Sequence, residues 1–364
     1  MSGWEGAAAT PPPHPRLLRE LSERAVLEAL AREQGPLTRA ELARRSGLSR
    51  PTIGDAVRRL EVDGVLVAVG VRSGYPGAAA TFYDFAPTLG GALGVELNQH
   101  VTRVAVGGLL GGTLEETEHP PTAGTEDLRA VLRGLVGDPA DGTARADGPV
   151  RAVTISVGAP VDPVDERAVP LPEGGHPRDP IRPAELLAGL DVPVHVENDV
   201  NLAAVAERRT GVATATTSFA YLYLGAGTSL GLGLMVDDRL VRGARGLAGE
   251  VGYLAVDAGR HALARAVGDA DLASGTGADA AVVALGRAVT SICALVDPEM
   301  VVVGGPREVH DDVLVGIARH VEADAPRAVP LVRSALGASA SVRGALLSAR
   351  QRAWTDLLES RRGP

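Results

Sequence analysis

The side chains with the plainest chemistry cluster between Ser49 and Arg59: Ser49, Arg50, Thr52, Asp55, Arg58 and Arg59. Guanidinium groups donate in a fork that fits phosphate oxygens or the acceptor edge of guanine. Hydroxyls donate and accept, and a carboxylate accepts from a base amine. The chemistry offered is recognition by hydrogen bonding. It requires an element that holds these groups on one exposed face.

The flanking residues supply one. Ser49 is a good N-cap, and Pro51 is tolerated in the first turn of the helix that follows. Ile53, Val57 and Leu60 fall at i, i+4 and i+7 and make one buried stripe. Thr52, Asp55, Arg58 and Arg59 take the other face, with Arg50 at its start. Upstream, Thr38 and Glu41 have capping-box spacing. Leu42 and Ala43 give that first helix an apolar side, Gly47 ends it, and Leu48 can plug the corner. Two helices joined by a tight turn form a helix-turn-helix, whose second helix can enter a DNA major groove. The expected contacts are Thr38, Arg39, Ser49, Arg50, Thr52, Asp55, Arg58 and Arg59. The alternative is an ordinary helical hairpin with a solvated charged face.

Strands follow in the order a wing requires. Asp63-Gly64 turns the chain, and Val65 to Val69 and Ala79 to Phe85 read as strands around the tip VRSGYPGA. Arg72 is the basic residue available to that tip, so a weak wing contact is expected. Arg16 to Glu33 reads as an amphipathic helix with Leu17, Leu21, Val26, Leu27 and Leu30 inward, a support for the head and a candidate dimer contact. Residues 1–15 are small and Pro-rich and read as a disordered tail.

Composition sets the frame. The 364 residues suffice for two or three domains. Aromatics are 3%, so the core must rest on Val, Leu, Ala and Ile. The net charge is -9, which excludes a polycation. Yet between Arg16 and Arg72 eleven arginines face eight acids, a modest basic module on an acidic body. Cys293 is the single cysteine and sits in an apolar helical stretch, so a packed thiol is expected. With no signal-peptide pattern and no apolar run judged long enough to span a bilayer, the expectation is a cytoplasmic protein without a membrane partner.

From Gly91 strands and helices alternate, which argues an α/β domain with a mixed sheet. A second α/β unit starts near Thr217. Two such halves enclose a cleft suited to a ligand. The expected division is a head at 16–86 and a body at 87–364, with lobes of about 87–210 and 211–364.

Four stretches of the body, VHVENDVNLAAVAE (194–207), GAGTSLGLGL (225–234), RGLAGEVGY (245–253) and LVDPEMVVVGG (295–305), resemble the ROK family of bacterial repressors and sugar kinases. The resemblance implies an N-terminal winged helix-turn-helix followed by a two-lobed, actin-like sugar-kinase fold. It also implies a homodimer or homotetramer, and a sugar or sugar derivative that shifts affinity for operator DNA. In such a kinase a carboxylate accepts the proton of the sugar hydroxyl, and Asp199 occupies that place. Asn198, Glu250 and Tyr253 complete the expected effector site. The family's Asp-x-Gly-Gly-Thr phosphate loop is here Glu96-Leu97-Asn98-Gln99-His100. Side chains stand where backbone should approach ATP. The second loop keeps Gly227, Thr228, Gly231 and Gly233 but has Ser229 in place of a Gly. The family's sugar-contacting Asn is Pro170. Its zinc ligands are gone: Tyr253 replaces the His, and 256–277 has no cysteine. The expectation is therefore a regulator and not an enzyme, with no cofactor and no metal. The rival is a sugar kinase with an appended head. For Asn198 and Asp199 the competing role is to cap the helix from Val200. For Glu250 it is a structural ion pair.

Overall fold

The computed structural model describes residues 15–33, 35–72, 80–111, 114–122, 124–137, 148–171, 177, 179–186, 189, 192–255, 263–268 and 270–360, with side chains of the first helix from residue 18 and of its first wing strand to residue 71. The expected tail lies outside these residues but for Pro15. So do the wing tip at 73–79, the side chains of Leu17 and Arg72, and His261. The chain forms two compact units. One holds the residues to Gly90 together with those from Trp354 onward, and the other spans Gly91–Ala353.

In the first unit, α1 (Pro15–Glu33), α2 (Arg39–Ser46) and α3 (Arg50–Val62) pack beside a three-stranded antiparallel sheet. Its strands are β1 (Leu37–Thr38), β2 (Leu66–Arg72) and β3 (Ala80–Phe85), in the order β1-β3-β2. The capping box forms: Thr38 accepts from the Glu41 amide, and the Thr38 amide donates to Glu41 Oε2 at 2.9 Å. Gly47 ends α2 at φ 71°, a conformation glycine adopts without steric cost, and its N–H closes on Ala43 O at 3.0 Å. Ile53, Val57 and Leu60 are fully buried. Each contributes about 1.5–3 kcal/mol relative to an exposed side chain.

One expectation for α1 needs correction. Leu21 faces solvent at 52% exposed, as does Leu18 at 51%. The inward face carries Ser22 and Glu23 with Val26, Leu27 and Leu30, because Glu23 is drawn in by an arginine of α3.

The second unit contains two five-stranded sheets of the same design. The first comprises β4 (Gly91–Leu97), β5 (Thr102–Gly108), β6 (Leu114–His119), β7 (Val150–Val157) and β8 (Val194–Asn198), ordered β6-β5-β4-β7-β8. The second comprises β9 (Phe219–Leu224), β10 (Leu230–Val236), β11 (Arg239–Leu240), β12 (Met300–Gly304) and β13 (Leu331–Arg333), ordered β11-β10-β9-β12-β13. Each is an antiparallel meander extended by two parallel strands. The halves are one topology used twice, with no short repeat in sequence to announce it.

The helices of this unit are α4 (Thr125–Val136), α5 (Pro183–Leu186), α6 (Asp199–Thr210), α7 (Leu263–Gly268), α8 (Asp279–Val296), α9 (Asp311–Asp324) and α10 (Ala340–Glu359). Among the described residues α8 is long and apolar enough to cross a membrane, with mean hydropathy 1.7, contrary to the expectation that no run was. Its Leu285, Val289 and Cys293 are buried in a core beside the second sheet with Val301 and Ile317, so it is a core helix. Ser341 lies inside α10 and is buried. At Gly94 on β4 a Cβ would collide with the backbone of Val342 and Leu346, so the absence of a side chain lets α10 lie directly on the sheet.

Helix α10 belongs to the second unit through Ala353 and to the first from Trp354. In the second unit Arg352 pairs with Glu166 at 2.7 Å. In the first, the Trp354 ring meets Phe85 edge-on with centroids 5.8 Å apart.

Candidate functional site

The head presents a graded set of polar groups. Arg50, Asp55 and Arg58 are exposed on α3, and Asp55 and Arg58 pair with each other. Ser49 caps the helix, accepting from the Thr52 amide at 3.3 Å while the two hydroxyls share a hydrogen bond of 2.8 Å. Thr38 is committed to its capping box. Arg39 lies 4.9 Å over the Tyr83 ring and 3.6 Å from Glu61, held against the head's own surface. Arg59 departs from the expected outward role. Its Nε donates to Glu23 Oε1 at 2.5 Å, and Nη2 reaches Ser22 Oγ at 3.5 Å, so its charge is turned toward α1. Of the expected contacts on α3 and its cap, Ser49, Arg50, Asp55 and Arg58 are exposed and Thr52 is half-buried.

In the second unit a cleft of about 580 Å³ opens between the β4–β5 turn and the β9–β10 turn. Asp199, Glu250 and Tyr253 line it, together with Asn98, Gln99, His100, Arg103, Tyr223 and Ser229. Asn198 is not on the lining. Its Oδ1 accepts from the amides of Val200 and Asn201 at 3.0 and 3.1 Å, and its Nδ2 donates to Ala159 O at 3.2 Å. It is the N-cap of α6, and that structural role uses its whole amide. Capping α6 fixes the adjacent Asp199 at the mouth of the helix.

The acids of the cleft perturb one another. Burial raises the Asp199 carboxyl to about 7, with Glu96 and Glu250 nearby adding to the effect. Burial alone raises Glu250 to about 7. Glu96, 4% exposed, is also raised by burial, against the pull of Arg103 at 3.4 Å. Its Oε2 is buried without a hydrogen-bond partner among the described residues. Tyr223 is raised by burial, and by Asp199 and Glu96 nearby.

The two loops that border the cleft are closed by their own hydrogen bonds. In the β4–β5 turn the His100 amide bonds Asn98 Oδ1 at 3.0 Å, and the Gln99 and His100 side chains meet at 2.9 Å. In the second loop Gly225 N–H bonds Ser229 O at 2.8 Å, and a Cβ at Gly225 would strike the Ser229 side chain.

Among the described residues no three His, Cys, Asp or Glu side chains group as metal ligands. The region from α7 to α8 is held in another way. Leu263, Val267 and Leu272 are fully buried. Arg307 donates to the carbonyls of Val267 and Gly268 at 3.2 and 3.4 Å, to Gly227 O at 3.4 Å, and to Ala270 O. Sequence reasoning missed this residue, since its partners are main-chain oxygens about 40 and 80 positions away.

Comparison with known proteins gives the class. Residues 92–270 match the ROK family, and residues 19–67 match winged helix-turn-helix DNA-binding domains. The chain carries a ROK family domain behind an N-terminal winged helix-turn-helix. Among solved structures it is similar to a ROK family transcriptional regulator, a homologue of E. coli MLC protein. That match has 19% identity and TM-score 0.68, covering 95% of this chain and 99% of the other. It is also similar to a ROK hexokinase from Thermus thermophilus at 23% identity and TM-score 0.58, covering 72% of this chain and 99% of that one. A ROK family protein from Streptococcus pneumoniae, solved with sucrose, gives 20% identity and TM-score 0.58, with 73% and 99% covered. At these identities the likeness speaks for the fold. No curated protein matches the chain.

Proposed function

We propose that this protein is a one-component, sequence-specific transcriptional repressor whose cleft takes a sugar-like effector. The observation that carries the reading is the division of α3. Ile53, Val57 and Leu60 are buried, while Arg50, Asp55 and Arg58 stand exposed at and beyond its start. A recognition helix uses its N-terminal residues on base edges, and paired heads read two half-sites. The protein therefore acts as a homodimer or homotetramer on a double-stranded operator.

The cleft serves control. Asp199, Glu250 and Tyr253 line it and bind the effector, which acts through its different affinity for the two arrangements of the heads. The second reading is a ROK sugar kinase, favoured by Asp199 in the position of a base. Against it stand the side chains of Asn98, Gln99 and His100 where phosphates would approach main chain. No phosphoryl transfer is assigned.

Selecting bound sites from random DNA with the full chain tests the reading. Palindromic sites, and a footprint lost when residues 1–85 are removed, are the expected result. ATP-dependent phosphorylation of a hexose by the purified protein would replace this reading with the kinase.

A further inference from the structure

The cleft has an unusual concentration of two residue types. The chain has five tyrosines, two tryptophans and three phenylalanines, and Tyr223 and Tyr253 both line this one cavity. Tyr253 is 53% exposed there, an aromatic side chain held in the open at the cavity wall. Asp199 and Glu250 line the same cavity, and the buried Glu96 beside Asp199 has an unpartnered Oε2.

The cations in reach are already engaged. Arg103 pairs with Glu118 at 2.9 Å and Glu96 at 3.4 Å, and Arg265 has a partner of its own. His100 meets Gln99. Asn198 has turned its amide to the helix cap. The charge left to a ligand is that of Asp199 and Glu250, set with the Tyr253 ring in a wall that also carries the amides and hydroxyls of Asn98, Gln99, Thr228 and Ser229. Such a site asks for hydrogen-bond donors and positive charge, since a cation is attracted both to carboxylates and to the face of a tyrosine ring. A phosphate would meet like charge.

We infer that the cleft selects a protonated amine on a polyhydroxylated ligand, an amino sugar with a free ammonium group, with Asp199 and Glu250 taking the ammonium and Tyr253 lying against it. This rests on the reading of the cleft as an effector site and narrows its ligand class. An ammonium group brings three donors and one charge to carboxylates that otherwise repel each other.

The test titrates the full-length protein with glucosamine, glucose and N-acetylglucosamine at pH 7, reading heat of binding and thermal shift. Glucosamine is expected to bind at least about tenfold tighter than either neutral sugar, the scale of one charged hydrogen bond. Glu250→Gln should remove that preference. Tyr253→Ala, at an exposed position that tolerates truncation, should weaken glucosamine binding, and Tyr253→Phe should retain it. Equal or tighter binding of glucose or N-acetylglucosamine overturns the inference. So does failure of all three to bind, or an unchanged preference in Glu250→Gln. Operator binding by the same preparation separates the two levels. DNA binding without amine selection removes the amino-sugar assignment and leaves the repressor. Amine selection that leaves DNA affinity unchanged keeps the site and removes its regulatory role.

Discussion

The Nε of Arg59 lies 2.5 Å from Oε1 of Glu23, and this pair fastens the recognition helix to the helix that opens the chain. Glu23 is largely buried, so the pair is more than a surface contact. Arg59→Ala should lower the head's stability by about 1–2 kcal/mol, between the values for exposed and buried ion pairs. It should weaken binding to all DNA sequences alike. A shifted base preference in selected sites, with unchanged melting, would return Arg59 to the groove.

Arg50 and Arg58 should behave differently. Each truncated to Ala is expected to cost about 1–3 kcal/mol of operator affinity and, where the contact is to a base, to relax preference at one position of each half-site. Stability should hold, since both side chains are exposed. Mobility shifts at fixed salt, paired with site selection, read the two effects. Wild-type affinity in the double variant Arg50→Ala/Arg58→Ala would remove α3 from the interface.

Arg307 offers a test of what holds the segment where the family's metal would be. Its guanidinium joins carbonyls of Gly227, Val267, Gly268 and Ala270. Arg307→Met keeps length but leaves these oxygens without their donor, at a cost of about 1–3 kcal/mol. Limited proteolysis should then cut near α7 before the rest of the body. Arg307→Lys should rescue only in part, since an ammonium is compact where the guanidinium is a fork. Wild-type resistance in both variants would mean that the buried Leu263 and Val267 suffice.

The cleft acids give the body a pH signature. Asp199 and Glu250 rise from ordinary values of 3.8 and 4.5 to about 7. The folded state therefore holds protons that the unfolded chain has released between about pH 4 and pH 7. Stability is highest at the acid end of this window, falls as pH climbs through 7, and is level above it. Glu250→Gln should raise the melting temperature at pH 8, by about 2–4 °C for each kcal/mol relieved, and leave it unchanged at pH 4. A uniform effect at both pH values would deny the shift.

The head's local design was readable because its signals are short-range. Thr38 with Glu41, Gly47, Ser49 and the Ile53-Val57-Leu60 stripe each act within a turn or two of chain. Strand β6 was missed. Its residues LEETEH carry charge in place of the Val and Ile that mark a strand, and Glu118 and Glu116 hold it to Arg103 and Arg343 at the sheet edge. The cap that Asn198 makes is local and was among the roles weighed for it, but the roles of Arg59 and Arg307 depend on partners 36 and up to 80 residues away. Spacing along the chain carries no trace of such distances. The cleft was legible through Asp199, Glu250 and Tyr253. The pressure of Glu96 on Asp199 was not, because it arises only when β4 and the start of α6 are brought together.

Helix α10 has a consequence for how the protein is made. Trp354, which packs on Phe85 of the head, is synthesised only after the whole of the Gly91–Ala353 body. A nascent chain that has completed every element of the body still presents an unfinished head. A product cut short at Ala353 would have a whole body and a head lacking the ring that seats on Phe85.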